Sequence, residues 1–226
     1  MDFLKLIRSV EELLFELAAW CLFYPRTLWR VLTTPAAMVR YSDAQQKPGQ
    51  PEGTEPYARE MSPPALLLLS LLLVHLIEMA VHVKLPVPHN ELARPMLTPG
   101  LNLLVVRATL YSVLPLLIAA SILRDQKTEI ERSKLRPLFY GQCYLVAPFS
   151  IAVSGGSLLS RLWAPLPWAG LALLLSGMGW FLWAEAVHLR ERLGVTHGRA
   201  YLTAAWWIAR SIGAVVVIIM GIGVLL

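Results

Sequence analysis

Long apolar runs dominate this chain, at about 64–83, 101–123, 138–159, 165–188 and 201–226. Each is close to the ~20 residues that, at ~1.5 Å rise per residue, cross ~30 Å of hydrocarbon. In lipid every backbone N–H and C=O needs an internal partner, which leaves helices or a closed barrel. Continuous leucine-rich runs, rather than alternating stretches of ~10 residues, select helices. The pattern predicts an all-α polytopic membrane protein, with five transmembrane helices bundled over residues 63–226.

The remaining chain patterns differently. Residues 3–23 place Phe3, Leu6, Ile7, Val10, Leu13, Leu14, Leu17 and Cys21 at helical spacing, with Lys5, Arg8, Glu11, Glu12 and Glu16 largely opposite. The most apolar part, 13–24, is interrupted by Glu16 and is too short to span. Such a helix lies in the headgroup interface, anchored by Trp20, Tyr24, Arg26, Trp29 and Arg30, or packs on the ends of the bundle. Pro25 interrupts the periodicity, so residues 26–38 are expected as one or two short surface helices ended or kinked by Pro35. Residues 1–40 thus form an interfacial segment. A polar stretch over 41–62, with Pro48, Gly49, Pro51, Gly53 and Pro56, reads as a flexible tether.

Ser62-Pro63-Pro64 opens the first span, where Ser62 can cap and a first-turn proline sacrifices no internal hydrogen bond. Pro115 and Pro148 predict kinks in spans two and three. The third run carries Gln142, Ser150, Ser154, Gly155, Gly156 and Ser157, small and polar residues that place it in the middle of the bundle. Gly170, Ser176, Gly177 and Gly179 in the fourth, with Gly213, Gly221 and Gly223 in the fifth, predict close packing between those two.

Composition excludes a water-soluble domain: 56% of residues are hydrophobic and 15% charged. The net charge of +5 is not a nucleic-acid signal, because the basic residues are dispersed among loops with no aromatic stacking platform. Instead they fill every second gap. Lys5, Arg8, Arg26, Arg30, Arg40, Lys47 and Arg59 precede span one, Arg124, Lys127, Arg132, Lys134 and Arg136 lie between spans two and three, and Arg190, Arg192 and Arg199 between four and five. The alternate gaps carry only Lys84 and Arg94, then Arg161. By the positive-inside rule the N-terminus is cytoplasmic and the C-terminus lies across the membrane, expected to be a bacterial inner membrane. Cys21 and Cys143 indicate no disulfide framework. Glu11, Glu12 and Glu16 fall where a cleavable leader needs an apolar core, so insertion through the chain's own spans is expected.

Seven ionisable residues lie within the spans: His75, Glu78, His82, Arg107, Glu185, His188 and Arg210. Charge buried in hydrocarbon needs a partner. Glu78 lies ~8 Å and Arg107 ~9 Å from the outer ends of their spans, so they can pair. Glu185 and Arg210 lie ~5 and ~14 Å from the inner ends of theirs, a gap an arginine side chain can bridge. These are two structural salt bridges, or the arginines face a polar cavity and hold an anionic headgroup or substrate. His75 and His188 are candidate polar support. His75-x-x-Glu78 and Glu185-x-x-His188 have the spacing of di-iron ligands, but they sit at different depths and lack further carboxylates, so no metal is expected. The sequence has no Gly-x-Ser-x-Gly turn, no phosphate-cradling loop and no His-Glu-x-x-His, so neither a catalytic set nor a cofactor is expected.

The Ser62-Pro63-Pro64 start of span one, the cytoplasmic N-terminal region, the five spans and the near-absent tail resemble the Yip-type family of five-span membrane proteins. Gly141-Gln142-Cys143-Tyr144 followed by Pro148 is similar to the family's Gly-Tyr and downstream proline pattern, although the Asp-Leu and Gly-Pro signature before span one is lacking. The stretch Phe23 to Arg30 is similar to the segment preceding the spans in bacterial, permease-like relatives. Eukaryotic members interact with Rab GTPases in vesicle trafficking. The resemblance implies fold and carries no catalytic residue. The expected function is that of a non-enzymatic membrane protein organising anionic lipids, or recruiting a protein partner or a second copy, at its cytoplasmic face. A small transporter or channel subunit acting as an oligomer is the alternative.

Overall fold

The computed structural model describes residues 3–46, 56–81, 100–162 and 167–225. Among them are seven helices and no strand: α1 Phe3–Thr33, α2 Pro35–Gln45, α3 Pro63–Ala80, α4 Leu101–Asp125, α5 Arg132–Leu162, α6 Pro167–Leu193 and α7 His197–Leu225. Helices α3 to α7 are long and apolar enough to cross a membrane. The chain is therefore an all-α integral membrane protein with five spanning helices. His82, Lys84 and Arg94 lie outside the described residues.

The N-terminal part departs from the expected pattern. Pro25 sits inside α1, which runs on to Thr33. The break comes at Thr34, and Pro35 starts α2 instead of ending a helix, a position where its missing N–H has no helical partner to lose. Pro25 is exposed. Helix α2 continues to Gln45, and residues 56–62 form a bonded turn, so the expected tether is structured at both ends; 47–55 lie outside the described residues. Ser62 occupies the N-cap of α3 in extended conformation, but its side chain makes no capping bond. Pro115 and Pro148 lie within α4 and α5, which continue through them.

Helix α5 is the central element, packed against α1, α2, α3, α4 and α6. Its middle is almost wholly enclosed from Gly141 to Ser150, and Phe149 stacks on Phe181 of α6 with centroids 4.8 Å apart. Helix α7 packs on α6 and α4 at the periphery.

The small residues of α6 are used differently from expectation. Gly170 and Gly177 face α5, not α7: a Cβ added at Gly170 would collide with the Gly156 carbonyl oxygen, and one at Gly177 with Ala152. Gly179, Gly213 and Gly221 have open space beside them. Backbone proximity is what small residues permit, and the α5–α6 seam is where the chain uses it.

Candidate functional site

The C-terminal turns of α1, α2, the α4–α5 connection and the α6–α7 connection gather at one end, called here the basic end, through the Thr27–Glu60, Tyr57–Tyr140 and Asp43–Arg192 contacts. Its organiser is Glu60, in the turn before α3. Glu60 is 2% exposed, accepts from Thr27 Oγ1 at 3.0 Å and from Arg30, and lies 3.7 Å from Arg26 Nε. The Met61 N–H donates to Thr27 Oγ1 at 3.0 Å, and the Met61 carbonyl accepts from the Tyr144 hydroxyl at 2.6 Å. One turn thus joins α1 to the centre of the bundle.

Tyr57 completes that turn with a left-handed backbone, φ +64°. Such a conformation is costly for a bulky residue and persists only where its surroundings hold it. Its N–H donates to Gln45 Oε1 at 3.1 Å, its hydroxyl bonds Ser42 and Gln46, each at 3.1 Å, and its ring stacks on Tyr140 of α5. Burial raises the Tyr57 phenol above its ordinary pKa, and does the same for Tyr41 and Tyr24. Helix α2 is fastened to α6 by Asp43 to Arg192 at 2.8 Å and by Arg40 to Glu191. It approaches α5 so closely that a Cβ on Gly141 would meet Val39 Cγ1 at 2.8 Å.

The expected interfacial anchors therefore divide. Arg26 and Arg30 serve Glu60. The Ser70 hydroxyl donates to the Leu66 carbonyl, so the Tyr24 hydroxyl donates to Ser70 Oγ at 3.1 Å. Trp20 and Tyr24 line an apolar groove of about 280 Å³ against Leu69, Leu72, Leu73 and Leu76 of α3. These residues pack α1 on the bundle. Trp29 is strongly exposed, at 68%, and it aligns at seven-residue intervals with Leu22 at 69% and Phe15 at 73%. Seven residues are almost two helical turns, so the three form one outward stripe.

Within the spans the structure brings Glu78 and Arg107 together in a bidentate pair, at 2.5 and 3.2 Å. Nearby, the Tyr111 hydroxyl lies 3.4 Å from Ser154 Oγ. Glu185 and Arg210 do not meet. Arg210 donates to Ser121 Oγ on α4, while that hydroxyl donates to the Leu117 carbonyl at 2.7 Å. Glu185 is fully buried and accepts from Gln142 Nε2 on α5 at 3.0 Å. Depth along each helix was sufficient to place these groups, but not the direction each faces: Glu185 points to α5 and Arg210 to α4.

Glu185 Oε2 and Gln142 Oε1 are buried and have no partner among the described residues, and the same holds for His75 Nδ1. His188 is buried one turn beyond Glu185. No group of three metal-ligating side chains occurs among the described residues. Glu60, Thr27 and Tyr57 were not singled out by sequence reasoning; the acid directly before Met61-Ser62-Pro63-Pro64 was the available signal. Comparison with protein-family models, with curated proteins and with solved structures gives no match.

Proposed function

We propose that this chain is a non-enzymatic inner-membrane protein that organises anionic lipids at a cytoplasmic basic end, with its C-terminus across the membrane. The observation that carries the reading is the outward stripe Phe15, Leu22 and Trp29, on a helix whose opposite side is fastened to the bundle through Tyr24, Thr27 and Arg30. At the Trp29 end the stripe is flanked by Arg26 and Arg30, an apolar and basic combination suited to the boundary between headgroups and acyl chains, and Leu22 and Phe15 carry its apolar surface on along the length of α1. Positive-inside placement of the basic connections supplies the orientation. The Yip-like order of parts supports the same scaffold role, with recruitment of a protein partner as its protein-mediated form.

The test is a triple Phe15→Ser, Leu22→Ser, Trp29→Ser variant, reconstituted in vesicles containing phosphatidylglycerol and phosphatidylcholine. Its folding and insertion should persist, because the stripe is outside the Glu60 network. Enrichment of phosphatidylglycerol around the protein should fall. Undiminished enrichment counts against the proposal.

A permease-like subunit is the second reading, favoured by the incompletely bonded Glu185–Gln142 pair between two spans. Intramembrane ionisable groups commonly mark ion or substrate paths. Flux of protons or small solutes through liposomes holding the purified protein, abolished by Glu185→Gln, would establish it.

A further inference from the structure

Helix α4 and the first turns of α5 border a second, larger groove of about 1160 Å³ that is open along one side. That exceeds the ~300–1,000 Å³ of pockets for small organic ligands. One wall runs along α4 from Val105 to Leu116, a rise of ~16 Å. The hydroxyls on this wall are turned inward to their own helix: Thr109 donates to the Val105 carbonyl at 2.9 Å and Ser112 to the Ala108 carbonyl at 2.7 Å. What the wall offers an occupant is hydrocarbon.

The other wall is different in kind. It carries Arg132 and Arg136, four residues apart and so on one side of α5, followed by Phe139 and Tyr140. Both arginines are exposed, and among the described residues neither has an ion pair. Arg136 lies over the Tyr140 ring at 5.3 Å. Glu131, the acid next to Arg132 in sequence, is engaged by Lys134 at 3.2 Å and Ser133 at 3.2 Å. Two cations without acid partners thus stand beside a long apolar wall.

We propose that this groove is a binding site for an anionic glycerophospholipid, with its phosphate held by Arg132 and Arg136 and an acyl chain lying along Val105 to Leu116. Charge complementarity selects the occupant: an apolar protein helix would leave both guanidinium groups unanswered, whereas a phospholipid has one anionic end and an apolar remainder. Arginine forks are suited to phosphate oxygens. The site rests on the lipid-organising reading above and gives it a location.

The full chain, purified in mild detergent from equal phosphatidylglycerol and phosphatidylcholine, is examined for retained lipid by native mass spectrometry. The wild type should retain phosphatidylglycerol preferentially. Arg132→Gln with Arg136→Gln should lower that retention roughly twenty-five-fold, each cation near an anionic surface contributing a factor of about five. Thr109→Trp, which fills the apolar wall from an exposed position, should lower retention of both lipids. Arg124→Gln, an exposed arginine outside the groove, should change nothing. A preference that survives both groove variants overturns the site alone. A wild type with no preference overturns the site and the lipid reading together.

Discussion

Glu60 and Glu185 are both buried, at 2% and 0% exposure, yet the chain surrounds them in opposite ways. Glu60 accepts from Thr27 and Arg30 and has Arg26 close by. Glu185 receives one amide bond, from Gln142, and its second oxygen has no partner among the described residues. A buried carboxyl is expensive unless it is paired and hydrogen-bonded. At the basic end that cost is answered by cations whose outer parts reach water. Inside the bundle it is answered only in part, so packing alone gives Glu185 little reason to be there. The comparison separates an acid that assembles the fold from one whose presence asks for another explanation.

Glu78 sharpens this contrast, because it lies within a span but has a full bidentate arginine. If cation pairing is what makes an acid structural, Glu78→Ala should have the largest effect, leaving Arg107 without its partner at a loss of about 3–5 kcal/mol. Thermal unfolding in bicelles measures it, with Arg107→Ala and the double variant closing a cycle. The double variant should be more stable than Glu78→Ala alone. A double variant no better than the single one would show that the pair is not coupled.

Glu60→Ala should come next. The acid is enclosed, but its arginine partners are about half exposed and can return to water, so the loss is smaller, about 1–2 kcal/mol after allowing for solvent screening. Its signature is local. Proteolysis should open the α1–α3 junction before the spans, and a uniform loss of protection across the bundle would contradict the view of Glu60 as a joint.

The legible part of this architecture is what depends on position along a helix. Run length identified the five spans, and the small polar residues of the third run identified α5 as the centre. Equal depth brought out Glu78 and Arg107. What sequence did not reveal depends on rotation about a helix axis. Arg210 turns toward α4 because α7 packs there, and Gly170 and Gly177 close on α5 although α7 also carries glycines. Pro25 was misleading for a related reason: on the exposed side of α1 it leaves the helix able to continue. Glu60 was hidden because a polar, proline-rich stretch resembles a tether until Tyr57 and Glu60 find partners thirty residues or more away along the chain in Thr27 and Arg30, and in Tyr140.

The smallest expected effect bears hardest on the contrast. Glu185→Leu removes a buried carboxyl with no cation and fills a similar volume with hydrocarbon, so stability should be unchanged or rise by up to about 1–2 kcal/mol. The gain is limited because Gln142 then loses its acceptor and keeps an unpaired amide. Adding Gln142→Leu should remove that limit, making the double variant the more stable of the two. If either substitution unfolds the bundle, Glu185 belongs with Glu60 as a structural acid. If both are tolerated while solute flux or lipid enrichment is lost, the carboxyl is retained against stability, and the polar centre between α5 and α6 is a working part of the protein.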